Sequence, residues 1–228
     1  MYISHKYKFV FLRTPKTASS SLSDFFVKNI DDPNAIYTPV DDTRNPGKNL
    51  PRDIFTKYDK FSWAHLQLQD VVDYGLLDKG ELKNYKKIAV IRNPVDRQLS
   101  LYYHFKNKNE LGCKRHEPAS LLEYRSVTQN GHFQEVNGAK KQADFLKYDN
   151  KIIGTYILYE NLQEFLKQFM NDIGLIIKYP LPNHKSHARP KVDDFKFELE
   201  DVKKIKEYFK EDFELYEKLK KWKLIYLK

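Results

Sequence analysis

Residues 11–22, FLRTPKTASSSL, place a lysine and a run of small and hydroxyl residues directly after an apolar segment. The apolar residues beyond this turn recur at helical spacing, so the stretch joins a strand to a helix. The first amides of a helix lack intrahelical partners, and the helix dipole favours an anion there. Lys16 adds a full positive charge. The turn therefore predicts a phosphate or sulfate site, with an ordinary serine-rich helix start and a surface lysine as the alternative.

A second candidate anion site follows the segment KKIAVIR, residues 86–92, which predicts a strand ending at Arg92. The next residues, 93–105, predict a helix with Asn93 as its cap and Pro94 in its first position. An arginine fork binds phosphate in bidentate fashion, and Ser100 can lean back toward the same ligand. Two such turns indicate one ligand with two phosphate-bearing ends. Simple pairing of Arg92 with Asp96, and a Ser100 without a ligand, are the alternatives.

The first turn differs from the nucleotide-binding loop of P-loop NTPases. That loop requires G-x-x-x-x-G-K-[ST], and residues 11–22 contain no glycine. Those enzymes also need an acidic residue to help hold magnesium, whereas the second predicted strand ends in a cation. A nucleotide kinase is therefore the weaker enzyme hypothesis.

Together, FLRTPKTASSSL and VIRNPVDRQLSLYYHF resemble the sulfotransferases that use 3′-phosphoadenosine-5′-phosphosulfate (PAPS). The likeness is to the carbohydrate branch that includes the heparan and uronyl 2-O-sulfotransferases. The resemblance implies that the first turn holds the 5′-phosphosulfate and that Arg92 and Ser100 hold the 3′-phosphate. The implied residues of the first turn, with Arg13 beside them, are Lys16, Thr17, Ala18, Ser19, Ser20 and Ser21.

Further blocks resemble the same family less specifically. His65, in WAHLQLQD, stands where this branch carries its catalytic histidine. The segments 140–146, 154–166 and 212–219 resemble downstream blocks, and 183–190 resembles a basic loop that closes over the nucleotide. That last likeness implies contacts from Lys185, Ser186 and Arg189.

The resemblance implies transfer of a sulfuryl group from PAPS to an acceptor hydroxyl, with PAP as the product and no metal. Lys16 would stabilise charge on the leaving phosphate oxygen. His65 would remove the acceptor proton, since an unperturbed histidine pKa near 6.5 suits a base at neutral pH. A core histidine with a satisfied hydrogen bond is the alternative for His65. The branch implies a glycan acceptor, while tyrosine, lipid and other small molecules stay open.

The elements that must position these residues alternate between strand and helix along the chain. Segments 6–13, 86–92 and the start of 151–175 predict strands, each followed by a helix. The stretch 198–222 predicts an amphipathic helix or a pair of helices, with an apolar stripe that includes Leu199 and Ile205. Residues 31–60 predict a long loop. This order predicts a single α/β domain over residues 1–228, with a central parallel sheet flanked by helices and a P-loop-like strand-turn-helix at the 5′-phosphosulfate site.

Composition bounds the remaining functional classes. The 228 residues carry a formal net charge of +9, which favours an anionic ligand or a nucleic acid. No recognised nucleic-acid motif accompanies the charge, so a nucleic-acid-binding module is the weaker alternative. The pairs Cys113/His116 and His184/His187 could in principle bind zinc. The first pair lies in a stretch with no predicted element and the second inside the basic loop that resembles the family, so zinc is the weaker interpretation. One cysteine, no signal peptide and no membrane anchor predict a cytoplasmic location.

Overall fold

The computed structural model describes residues 1–38, 65–110, 140–183 and 197–221. Its strands are β1 (Tyr2–Ser4), β2 (Phe9–Leu12), β3 (Ile36–Tyr37), β4 (Lys86–Ile91), β5 (Lys147–Tyr148), β6 (Lys151–Ile152) and β7 (Thr155–Leu158). Its α-helices are α1 (Ser19–Asn29), α2 (Leu68–Asp73), α3 (Lys79–Asn84), α4 (Pro94–Glu110), α5 (Leu162–Asp172), α6 (Leu199–Tyr208) and α7 (Lys210–Lys221).

The central sheet has the order β3-β1-β2-β4-β7, and β5 pairs with β6 separately. Strands β2, β4 and β7 are parallel, which confirms the predicted α/β architecture. Strands β1 and β3 are antiparallel additions at one edge, which the sequence reasoning did not predict. The predicted strand 6–13 begins only at Phe9, because residues 5–8 form the turn from β1 and Lys8 has a left-handed φ of 51°.

Both faces of the parallel strands are buried, as expected for a sheet with helices on each side. Val10, Leu12, Ala89 and Ile91 face a core that contains residues of α2, α3 and α7. The alternate residues Phe9, Phe11, Ile88 and Val90 face α1 and α5. This alternation follows from the two-residue period of a strand, and it fixes which helices lie over which face.

The helix after the first turn is anchored by an aromatic cluster. The ring of Phe26 lies 5.3–6.0 Å, between centroids, from the rings of Tyr2, Phe9, Phe11 and Phe169. Such ring pairs each contribute about 0.5–1.5 kcal/mol beyond area burial. The cluster therefore fixes α1 against the sheet and, with it, the position of the turn that precedes it.

The predicted amphipathic stretch 198–222 forms a pair of helices, α6 and α7. Ile205, Phe209 and Tyr216 are buried as predicted. Leu199 was assigned wrongly to the buried stripe, since it is the first residue of α6 and is 90% exposed. The helix predicted over 93–105 continues to Glu110.

Gly154, between β6 and β7, has no room for a side chain. A Cβ there would lie 2.8 Å from both the Cβ and the carbonyl oxygen of Lys87. We expect Gly154→Ala to lower the free energy of unfolding by about 1–3 kcal/mol, measured by denaturant unfolding. Gly80→Ala is the control, because the Cβ of residue 80 would meet only a side-chain oxygen of Asp78, at 3.1 Å. Equal stability of Gly154→Ala and the parent protein would contradict this account.

Candidate active site

The turn between β2 and α1 is built from left-handed residues that are not glycine. Lys16 has φ 63° and Ala18 has φ 59°. Between them, the buried Thr17 hydroxyl donates to the carbonyl oxygen of Thr14 at 2.8 Å. A left-handed residue next to a helical one curls successive amides around a concavity that suits an anion. Each such residue costs about 1–3 kcal/mol of strain, and surrounding structure must hold it in place.

The start of α1 has features that suit an anionic ligand. Its N-cap residue Ala18 supplies no side-chain hydrogen bond, and its first turn contains no acidic residue. The first helical hydrogen bond runs from the Leu22 amide to the Ala18 carbonyl at 3.0 Å. The amides of residues 19 and 20 precede that bond, so they are placed to donate to an anion.

Arg13 places a cation inside the fold beside this turn. Its side chain is buried, and Nη2 donates to the Ser20 hydroxyl at 3.1 Å. A second nitrogen, Nη1, donates to the Thr38 hydroxyl at 3.5 Å. Burial lowers the pKa of Arg13 to about 10, so the guanidinium is charged at neutral pH. The Arg13 guanidinium therefore contributes positive electrostatic potential at the start of α1, where it contacts Ser20.

Arg92 connects the second turn to the first. Its Nη1 donates to the carbonyl oxygen of Lys16 at 3.1 Å. The pairing with Asp96 that the sequence left open is present, with Nε 2.5 Å from Oδ2. The guanidinium carbon also lies 4.5 Å from the ring centroid of Tyr159, which follows β7. Two of the five guanidinium N–H donors make these bonds, and the ring and Asp96 hold the group in one orientation.

The second helix start is already capped. The Asn93 side-chain oxygen accepts from the amides of Val95 at 3.0 Å and Asp96 at 3.2 Å, which confirms the predicted cap. Anion binding at this turn therefore depends on side chains and not on the first amides of α4. Ser100, partly buried, lies four residues after Asp96 and so on the same face of α4.

His65 lies at the carboxyl end of β2, against the residue that follows it. Its Nδ1 is 2.5 Å from the Arg13 carbonyl oxygen. A carbonyl only accepts, so Nδ1 carries the proton and Nε2 of the neutral ring is the acceptor. Burial, and then the charge of Arg13, lowers the pKa of His65 well below its ordinary value. The ring is therefore neutral at pH 7, with Nε2 unprotonated, and its lowered pKa makes it a weaker base than the unperturbed histidine expected from the sequence.

Two buried polar residues contact this region, Gln142 and Asp212, and both lie in segments that resemble the family, but sequence reasoning gave neither of them a role. Gln142 bonds to both the amide and the carbonyl of Arg92, each at 2.9 Å. Asp212 is a polar residue on the buried face of α7, three residues after Phe209 and four before Tyr216. Burial raises the pKa of Asp212, while Arg97 and the amides of residues 142 and 143 oppose that shift. A carboxylate within an apolar stripe is the signal that could have identified it.

The geometry thus gathers Arg13, residues 16–21, His65 and Arg92 at the carboxyl ends of adjacent parallel strands. Ligands bind at this edge in open α/β sheets. The other predicted contacts, Lys185, Ser186 and Arg189, lie outside the described residues. The two residue pairs considered for zinc, Cys113/His116 and His184/His187, also lie outside them.

A sequence model described as the sulfotransferase family matches residues 1–218 of the chain. The chain belongs to the sulfotransferase family. A search of curated proteins finds no match. Among solved structures, the sulfotransferase is similar to a sulfotransferase from Alicyclobacillus acidocaldarius. The two share 14% sequence identity with a TM-score of 0.39, over 93% of this chain and 85% of that chain.

Membership of this family supports sulfuryl transfer as the chemistry and does not favour the kinase or nucleic-acid-binding alternatives. Among the described residues of the sulfotransferase, no three His, Cys, Asp or Glu side chains are grouped as a metal site would require. Over the same residues, no helix is both long enough and apolar enough to cross a bilayer.

Proposed function

We propose that this sulfotransferase takes its sulfuryl group from PAPS and transfers it to a hydroxyl of a carbohydrate acceptor. The observation that carries the donor assignment is the bond between Arg92 and the Lys16 carbonyl at 3.1 Å. It joins two groups suited to anions, the start of α1 and a guanidinium, into one site. PAPS has the matching pair of separate charged ends.

The residues present fit this donor. An uncapped helix start without acidic residues suits the 5′-phosphosulfate, held by Lys16, Thr17, Ala18 and the three serines 19–21. Arg92 and Ser100 bind the 3′-phosphate, and Arg13 adds charge from inside the fold. Lys185, Ser186 and Arg189 are proposed contacts from the part of the chain that is not described.

When bound, PAPS supplies the sulfuryl group: a bond forms between sulfur and the acceptor oxygen, and the bond from sulfur to the phosphate oxygen breaks. Lys16 and the first amides of α1 stabilise negative charge at the phosphate oxygen. His65 accepts the acceptor proton on Nε2, because Nδ1 is committed to the Arg13 carbonyl.

Calorimetry tests the donor assignment. We expect PAP to bind at least about 10-fold more tightly than ATP with magnesium, because hydrogen bonds from charged groups to its 3′-phosphate contribute about 1.5–3 kcal/mol. A short oligonucleotide is the second competitor. Preference for ATP with magnesium would favour a kinase, and tight, salt-sensitive oligonucleotide binding would favour a nucleic-acid module.

A transfer screen with radiolabelled sulfate tests the acceptor class. The carbohydrate assignment is supported by the likeness of FLRTPKTASSSL and VIRNPVDRQLSLYYHF to the carbohydrate branch. We expect label on saccharide hydroxyls, and not on phenols or lipid alcohols. Label on a phenol or lipid alone would overturn the carbohydrate assignment and leave the donor assignment standing.

A further inference from the structure

Asp212 is a fully buried carboxylate that binds one short segment of the chain. Its two oxygens accept from the amides of Gln142 at 2.9 Å and Ala143 at 2.8 Å. Arg97 Nη1 lies 3.5 Å from the same carboxylate. A buried carboxylate without such partners would cost several kcal/mol. Helix α7 therefore holds residues 142–143 in place through charge-assisted hydrogen bonds.

Gln142, which Asp212 holds in place, contacts Arg92. Strand pairing between β4 and β7 ends at Ile91, one residue before Arg92. The Gln142 side chain takes the place of a strand neighbour, because its oxygen accepts from the Arg92 amide and its nitrogen donates to the Arg92 carbonyl. The main chain of Arg92 is thus held by Gln142, a residue that does not belong to the sheet.

The same segment also reaches His65. Arg97 Nη2 donates to the Lys140 carbonyl at 3.0 Å. The Lys140 ammonium in turn donates to the His65 carbonyl at 3.2 Å. Residues 140–143 therefore contact the main chain of both Arg92 and His65, and Asp212 holds them from α7 directly and through Arg97.

We propose that Asp212 is a positioning residue that sets Arg92 against the 3′-phosphate and His65 against the acceptor. The proposal rests on the proposed function, since it assigns those two tasks to Arg92 and His65. Gln142 links Asp212 to Arg92, and Arg97 with Lys140 links Asp212 to His65.

Two variants test these links, one at the link to Arg92 alone and one at both links. Gln142→Met keeps the side-chain volume and removes both bonds to Arg92; we expect about 10-fold weaker PAP binding with a smaller change in kcat. Binding of adenosine 5′-phosphosulfate, which lacks the 3′-phosphate, should change little. Asp212→Asn should raise KM for PAPS and lower kcat by about 10–100-fold, because the main chains of both Arg92 and His65 are then less well positioned. Hydrogen exchange at the Arg92 amide should accelerate in both variants.

Asn29→Ala is the matched control for lost stability. Asn29 is buried at the opposite end of α1, and its side chain bonds to the Phe25 and Tyr179 carbonyls and to the amides of Lys178 and Tyr179. Removing it should lower the free energy of unfolding by about 1–3 kcal/mol, yet leave PAP affinity and kcat unchanged.

The outcomes distinguish this inference from the proposed function. If the parent protein binds PAP and folded Gln142→Met binds it equally well, the positioning role is wrong and the proposed function stands. If the parent protein does not bind PAP, the proposed function fails, and the positioning role of Asp212 fails with it. If Asp212→Asn does not fold, the Gln142→Met result decides.

Discussion

Replacing His65 with alanine is expected to lower the sulfuryl transfer rate by about 10²–10⁴-fold while PAP affinity stays close to that of the parent protein. The reason is that Nε2 of the neutral ring removes the acceptor proton, whereas the groups assigned to the donor belong to other residues. Steady-state kinetics and calorimetry on the same preparation measure the two effects. A variant that turned over normally would remove His65 from the mechanism.

His65→Asn separates the base from its structural role. The asparagine amide can still donate to the Arg13 carbonyl, which in His65→Ala is left without its 2.5 Å partner. Both variants should lose transfer, and the alanine variant should also lose about 1–3 kcal/mol of stability. His5→Ala is the control, because His5 lies in the turn between β1 and β2, at the opposite end of β2 from His65.

The pH dependence of kcat/KM should report the lowered pKa of His65 in the free enzyme. The active form is neutral, so activity should persist below pH 6.5 and fall only as the buried ring takes up a proton. The free energy of unfolding should also decrease at low pH, for the same reason. Below about pH 6.5 the unfolded chain protonates this histidine and the folded chain does not, so the free energy of unfolding falls as pH drops. His65→Asn should lack this contribution.

Arg92→Ala is expected to weaken PAP binding by about 10²-fold. The guanidinium and the 3′-phosphate would form a hydrogen-bonded charge pair, and truncating one member of such a buried pair costs about 2–5 kcal/mol. Adenosine 5′-phosphosulfate should lose much less affinity than PAP, because it carries no 3′-phosphate and senses only the lost bond to the Lys16 carbonyl. Arg92→Lys should recover only part of the loss, since lysine keeps the charge and lacks the fork. Calorimetry with both ligands measures the difference.

Lys28→Ala controls for the loss of one positive charge. Lys28 pairs with Asp24 at 2.9 Å in the last turn of α1, at the end opposite the candidate site. PAP affinity should be nearly unchanged in this variant. An Arg92→Ala variant that loses affinity for both ligands equally would show that Arg92 supports the site as a whole and does not bind the 3′-phosphate.

Much of the local geometry of the candidate site could be predicted because it resides in short segments. The Asn93 cap, the turn before α1 and the pairing of Arg92 with Asp96 each depend on residues at most four positions apart, or on one strand-to-helix junction. The alternation of strands and helices predicted the α/β sheet in the same way. Strands β1 and β3 were missed because three- and two-residue strands carry no detectable period.

The sequence by itself determined which residues could bind an anion, because hydrogen bonding at a helix start and the apolar period of its elements are local properties. Only the tertiary structure decided how those residues are oriented. The tautomer of His65 depends on a carbonyl 52 residues away, and the main chain of Arg92 on Gln142, 50 residues away. Gln142 depends in turn on Asp212, a further 70 residues along. Contacts at such separations leave no periodic signal, since they arise when the sheet and helices pack.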